Sequence, residues 1–150
     1  MIVKIIFTCS KITLLIFYIM LLILVILAAL LFSLNDSKKV FVYNEEERQE
    51  YLSELCIYGI GSPQNTSTVT IPWEFDDVYL EYNKIQQKAG YDLREYAGDT
   101  VQEFTYEYKG YIIHLLIKNG EVVGGDISDP IINGKILPLT KEYANELNAS

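Results

Sequence analysis

Asp126, in the motif Gly124-Gly125-Asp126, is the candidate for acid–base chemistry in this chain, because it falls on an otherwise apolar face of a predicted sheet. The strand residues around it are apolar, and an unpaired buried charge is costly, so the carboxylate needs partners. Two interpretations stay open. Asp126 accepts hydrogen bonds from backbone amides or from a tyrosine hydroxyl, such as that of Tyr106, or the glycines let another backbone approach a binding site. The candidate binding residues are Gly124, Gly125, Asp126 and Tyr106.

Other side chains that often catalyse reactions are isolated in this sequence. His114 is the only histidine, and Cys56 lies between apolar residues. The two form a catalytic pair only if they meet in space. The chain has no metalloprotease, paired-cysteine, phosphate-loop or dinucleotide-binding motif. We therefore predict no catalytic residue, no metal site and no cofactor.

Asp126 ends a segment, residues 101–126, that predicts a three-stranded antiparallel meander. Lys109-Gly110 and Asn119-Gly120 divide it into three strand-like runs, and Asn-Gly between apolar residues is a strong signal for a tight hairpin turn. Because side chains alternate between the two faces of a sheet, two-residue loops collect the apolar residues on one face. Asp126 is then the one charge on that face.

The register of the meander follows from the two loops. The predicted pairs are Tyr108 with Tyr111, Tyr106 with Ile113, Phe104 with Leu115, Lys118 with Glu121, Ile117 with Val122, Leu115 with Gly124, and Ile113 with Asp126. The apolar face should pack against the helices of the domain.

Capping residues predict two helices before the meander. Asn44 is typical of a helix N-cap, and Gly59 is the first residue expected to end that helix. Asp76 or Asp77 begins a second helix, which should stop at Gly90.

Two further strands and a polar end complete the predicted domain. Residues 68–71 alternate and are β-branched, and residues 135–139 predict a last strand, at a sheet edge because it contains Pro138. The polar residues that follow predict a frayed end. The predicted fold class is α+β: an N-terminal transmembrane helix, then a small domain of two helices packed on an antiparallel meander of three to four strands.

The longest apolar run, residues 12–32, contains no charged side chain. At ~1.5 Å per residue a helix of this length spans about 30 Å, the thickness of the hydrocarbon core of a membrane. The run is longer than the core of a secretory signal, and no small-residue cleavage pattern follows it, so we predict an uncleaved anchor. The predicted organisation is a tail over residues 1–11, an anchor over 12–34, a linker over 35–43 and a domain over 44–150.

The composition excludes some partners. Twelve basic and 20 acidic residues give a net charge of -8, which is unfavourable for nucleic acid. Cys9 and Cys56 fall on opposite sides of the anchor, so they cannot pair. All tyrosines but Tyr18 lie outside the anchor. Such residues bind peptides or sugars when they are exposed, but they also fill the margins of small cores.

Three short motifs follow one another in the second half of the chain: Tyr82-Asn83 with Gln86, Gly90-Tyr91-Asp92-Leu93, and Gly124-Gly125-Asp126. The same pattern also includes Ile71-Pro72, Phe75, Val78-Tyr79, Tyr96, Gly98 and Tyr106. Over residues 69–139 it resembles the uncharacterised bacterial domain-of-unknown-function family 4830. The resemblance implies an anchored envelope protein with its N-terminus inside and its domain outside, and it assigns no catalytic residue.

These observations predict a single-pass protein of the cell membrane with a non-enzymatic binding or interaction domain on the extracytoplasmic side. The predicted partners are the membrane and an envelope protein or peptide, with no nucleic acid. The alternative is an envelope hydrolase that uses carboxylates around Asp126 as acid and base. The hydrolase requires Asp126 to line a pocket beside a second titratable group.

Overall fold

A computed structural model describes residues 2–34, 39–131 and 134–149 of the chain. Within the first of these ranges it describes the side chains of residues 13–29. The chain divides into two units, one ending at Lys38 and the other beginning at Lys39.

The first unit contains one long helix, α1 (Ile2–Leu34). Its side chains from residue 13 to residue 29 are all exposed, and the large apolar ones are 47% to 67% exposed. Among the described residues, no helix is both long enough and apolar enough to cross a membrane. The transmembrane anchor over residues 12–34 therefore stays a prediction, and residues 35–38 of the predicted linker lie outside the described residues.

The second unit is an α+β domain, and the predicted class is confirmed. Its elements in chain order are α2 (Glu45–Glu54), β1 (Asn65–Thr70), α3 (Asp77–Lys88), a 3₁₀ turn (Leu93–Tyr96), β2 (Thr100–Tyr108), β3 (Tyr111–Lys118), β4 (Glu121–Ser128), β5 (Ile136–Pro138) and α4 (Lys141–Ala149). The strands form one antiparallel sheet in the order β1-β2-β3-β4-β5. The described strands thus number five, against the three to four predicted for the meander, because the runs predicted over residues 68–71 and 135–139 both join the sheet as its edge strands β1 and β5.

Helices α2 and α3 begin at predicted caps. The side chain of Asn44 accepts the N–H of Glu47, and the side chain of Asp76 accepts the N–H of Tyr79. The first turn of a helix leaves its amide donors without backbone partners, so these side chains stabilise the two starts.

The helix ends match the sequence less well. α3 ends before Gly90, as predicted, where φ is 91°. α2 ends before Gly59, because Cys56 takes the left-handed conformation with φ at 67°. The predicted frayed end is wrong, since α4 buries Ala144 and Leu147 against the domain.

Both predicted two-residue turns are present. Lys109 and Gly110 have φ of 52° and 82°, and Asn119 and Gly120 have φ of 51° and 86°. Positive φ at both central residues gives the turn twist that matches paired strands. β2 and β3 accordingly pair in the predicted register throughout.

A β-bulge shifts the second hairpin. Ile117 pairs with Val122, as predicted, but Leu116 pairs with Gly124. Val123 is therefore an extra residue on β4, and every later pair moves by one position.

The bulge changes the face on which Asp126 lies. Asp126 pairs with His114 rather than with Ile113, and Gly125 pairs with Leu115. The prediction that Asp126 lies on the apolar face of the meander is wrong for this reason. The carboxylate lies on the other face, the one that carries Glu103 and His114.

Each face of the sheet is covered by helices. The first face packs against α2, α4 and the segment after α2, and its buried sheet residues are Phe104, Tyr106, Tyr108, Ile113, Leu115, Ile117, Val122 and Ile127. The second face packs against α3 and the 3₁₀ turn through a smaller core of Ile71, Leu93, Val101, Leu116 and Val123. The prediction that the apolar face packs against both predicted helices is therefore wrong, because α3 covers the opposite face.

The first residues of the domain pair with the beginning of β4. The N–H of Val42 donates to the carbonyl of Gly120 (2.7 Å), and the N–H of Val122 donates to the carbonyl of Val40 (2.9 Å). Val42 is 3% exposed. Residues 40–42, part of the predicted linker, are thus fixed to the sheet.

We expect Gly125→Ala to destabilise the chain, because an added Cβ would lie 2.8 Å from the backbone oxygen of His114 and 2.7 Å from Leu139. Overpacking of this kind costs ~1–3 kcal/mol. Urea unfolding of the purified chain measures the change. Gly61→Ala is the matched control, because an added Cβ there has no neighbour within 4 Å. Equal unfolding free energies for the two variants would contradict the packing described for Gly125.

Candidate functional site

Asp126 lies beneath α3 and is 4% exposed. The hydroxyl of Tyr82, on α3, donates to its Oδ2 at 2.7 Å. The predicted hydroxyl partner, Tyr106, lies on the opposite face of the sheet. The sequence therefore indicated the kind of partner but not the tyrosine.

A second carboxylate and the histidine lie beside Asp126 on the same face. His114 is opposite Asp126 across β3 and β4, and its Nδ1 is 3.4 Å from Oε1 of Glu103. That contact is ionic when the imidazole is protonated, but it lacks the geometry of a hydrogen bond, and Nδ1 is buried without such a partner. Ser67 donates to Oε2 of Glu103 at 2.9 Å. Ser67, Glu103, His114 and Asp126 thus form a row of polar side chains across strands β1 to β4.

Burial dominates the electrostatics of this group. Burial raises the pKa of Asp126 above its ordinary value, and the Tyr82 hydrogen bond and His114 offset part of that rise. Burial, then the charge of Asp126, raises the pKa of Tyr82 strongly. Tyr82 therefore stays protonated as a hydrogen-bond donor, and Asp126 is a carboxylate whose charged form is disfavoured.

The two glycines of the motif bring α3 close to β4. The N–H of Gly125 donates to Oε1 of Gln86 at 2.8 Å, and Gln86 is fully buried. A Cβ at Gly124 would lie 3.0 Å from the same oxygen and 3.1 Å from Leu93. The glycines therefore admit the side chain of Gln86 between α3 and the sheet.

The middle motif is held by the same helix. Nδ2 of Asn83 donates to Asp92 at 2.8 Å, and the N–H of Leu93 donates to Oδ1 of Asn83 at 2.8 Å. Partial burial acts to raise the pKa of Asp92. The hydrogen bonds from Asn83 and Gln87 outweigh it, so the pKa of Asp92 is lowered. The three motifs quoted from the sequence thus meet in one cluster, which we call the α3 clasp: Tyr82, Asn83, Gln86, Asp92, Gly124, Gly125 and Asp126.

Tyr106, the remaining candidate binding residue, belongs to a different cluster. Its hydroxyl accepts a hydrogen bond from Nε of Arg48 at 3.1 Å and lies 3.4 Å from Glu45. Both partners are on α2. The structure therefore brings together Gly124, Gly125 and Asp126 but separates them from Tyr106.

A cleft of about 380 Å³ adjoins the α3 clasp and is lined by residues of α3 and the 3₁₀ turn, including Asn83, Lys84 and Arg94. Another of about 420 Å³ lies beside α4 and includes Tyr111 and Glu146. In the parts of the chain that the structure describes, no three histidine, cysteine or acidic side chains form a group that could hold a metal ion.

We expect the stability of the wild type relative to Asp126→Asn to fall as pH rises from about 4 to 8. The variant keeps an oxygen for the Tyr82 hydroxyl and loses the ionisable group. A carboxylate whose pKa is raised by folding contributes its full stability below the unfolded value of about 4, and loses it as pH rises through the folded value. Urea unfolding at a series of pH values measures the difference.

Tyr82→Phe is the control for that pH series. It keeps the carboxyl group and removes the hydrogen bond that lowers the pKa of Asp126. Its stability should therefore fall more steeply with rising pH than that of the wild type. A wild type that gains stability over Asp126→Asn as pH rises would instead indicate a carboxylate held by an ion pair.

Comparisons with known proteins give no match: no protein-family model, no curated protein and no solved structure matches this chain. The resemblance over residues 69–139 stays a prediction. Any assignment of activity therefore depends on the geometry and charge of the described residues.

Proposed function

We propose that this chain is a single-pass membrane protein of the bacterial envelope whose extracytoplasmic domain is a non-enzymatic module that binds a protein or peptide. Residues 12–34 are the proposed anchor, with the N-terminus inside. The resemblance over residues 69–139 supports the bacterial envelope as the location.

The exposed surface of α1 supports the anchor. A helix that exposes large apolar side chains on all sides is unfavourable in water and suits a hydrocarbon environment. Every described side chain of α1, over residues 13–29, is exposed. The uncharged run of the sequence, residues 12–32, continues beyond those side chains at both ends.

The placement of Asp126 is the observation that carries the non-enzymatic proposal. A hydrolase needs its carboxylate within reach of substrate and water. Asp126 is 4% exposed, bonded to Tyr82 and covered by α3. The α3 clasp, which contains Asp126, joins α3 to the sheet, and this structural role explains its polar contacts without catalysis.

An exposed sheet edge supports a peptide or protein partner. In the described part of the chain, β1 pairs with β2 alone, so its other edge presents backbone N–H and C=O groups. An extended peptide can add to such an edge as a further strand. Four of the six β1 residues are exposed, which leaves their side chains accessible to a partner.

One crosslinking experiment tests both the location and the absence of catalysis. A membrane-impermeant amine-reactive crosslinker is added to intact cells that express the wild-type chain or Asp126→Asn. The exposed Lys84 is one site of reaction. We expect crosslinks to the same partner in both cells, because Asp126 does not contact the partner. Labelling only after permeabilisation would contradict the extracytoplasmic location. A partner that is crosslinked only in Asp126→Asn would favour the hydrolase alternative, because a hydrolase without its catalytic carboxylate retains its substrate.

A further inference from the structure

Among the described residues of the domain, four aromatic side chains are more than half exposed: Phe41 (51%), Tyr43 (70%), Tyr58 (59%) and Trp73 (81%). Three of them, Phe41, Tyr43 and Trp73, share one end of the sheet. Phe41 and Tyr43 alternate with the buried Val42, so both rings point outward, and they stack with centroids 6.3 Å apart. Large apolar rings are unfavourable in water. Their exposure together therefore indicates a surface that contacts a membrane or a partner.

Contacts place these three residues at one end of the sheet. The ring of Tyr43 packs against Gly120, in the turn between β3 and β4. The ring of Trp73 packs against Gly98, which precedes β2. Two contacts join the turn and the 3₁₀ segment: Lys118 pairs with Asp99, and the hydroxyl of Tyr96 donates to Glu121 at 2.9 Å. We call this surface the aromatic end, defined by Phe41, Tyr43 and Trp73.

The chain enters the domain at the same end. Residues 40–42 are fixed to the beginning of β4. Seven residue steps separate Leu34 from Phe41 in the sequence, and a fully extended chain of that length spans no more than about 25 Å. If residues 12–34 are the anchor, this length limits how far Phe41 can lie from the membrane.

We propose that the aromatic end lies in the headgroup region of the membrane and holds the domain against the lipid surface. This proposal rests on the proposed function, because it requires α1 to be anchored. Tryptophan and tyrosine rings prefer the membrane–water interface, where an apolar ring and its polar group are both satisfied.

Two carboxylates at this end are paired with lysines. Lys39 contacts Glu121 at 2.8 Å, and Lys118 pairs with Asp99. Each lysine is ion-paired with a carboxylate, which reduces the repulsion between Glu121 or Asp99 and anionic headgroups.

Fluorescence quenching by lipids tests the proposal with the full chain, because Trp73 is its only tryptophan. The chain is reconstituted in phosphatidylcholine vesicles with or without lipids that carry a bromine or spin-label quencher near the headgroup. We expect strong quenching of Trp73 and, in the double variant W73F/F41W, of tryptophan at position 41. The control is W73F/Y58W. Tyr58 is 59% exposed and its hydroxyl interacts with Cys56. Asn148 donates to the carbonyl of Cys56 and accepts the hydroxyl of Tyr108, which ends β2 on the side away from the aromatic end, so this control should be quenched at least several-fold less.

The outcomes separate this proposal from the proposed function. Vesicle flotation after alkaline carbonate treatment is read first, and a chain released from the lipid overturns both proposals. A chain that stays with the vesicles while positions 41 and 73 are quenched no more than position 58 overturns the aromatic-end proposal alone. A blue-shifted Trp73 that lipid quenchers do not reach also overturns it, because the end is then covered by protein.

Discussion

The buried side chain of Gln86 determines where α3 lies on the sheet, and the rest of the second layer follows from it. Its Oε1 accepts the N–H of Gly125 at 2.8 Å, and a Cβ at Gly124 would crowd the same oxygen at 3.0 Å. One helical turn earlier, Tyr82 lies on the same side of α3 and reaches Asp126. Asn83 then fixes the loop that carries Leu93 into the second core.

The sequence predicted the helix starts and the tight turns, because interactions between neighbouring residues determine both. The caps at Asn44 and Asp76 and both Gly-containing turns form because a few neighbouring atoms decide them. The bulge at Val123 has a different cause, since Val123 joins a core built from residues distant in the sequence. Strict alternation therefore placed Asp126 on the wrong face, and no local signal distinguished Tyr82 from Tyr106 as its partner.

The motifs that suggested chemistry have a shared structural role. Their polar groups bond one another across α3, the 3₁₀ turn and β4, so their occurrence together in the sequence is explained by one packing contact. The features directed outward are of another kind: an exposed strand edge, an aromatic end and an apolar helix. These surfaces fit the proposed role in binding at a membrane better than catalysis, because none of them depends on Asp126.

The measurement that tests the α3 clasp most directly compares Gln86→Leu with Gln87→Leu, two neighbouring glutamines of which only Gln86 is fully buried. Gln86→Leu leaves the Gly125 N–H without its side-chain acceptor, so hydrogen exchange at the Gly125 amide should speed up. The variant also removes Gln86 Nε2, which is buried without a hydrogen-bond partner among the described residues, so the unfolding free energy should fall by less than the ~1–3 kcal/mol of one unsatisfied buried group. Gln87 bonds Asp92 at the surface, and its variant should change stability by no more than about 0.5 kcal/mol. Equal stability and equal Gly125 protection in the two variants would contradict the role of Gln86 in holding α3 on the sheet.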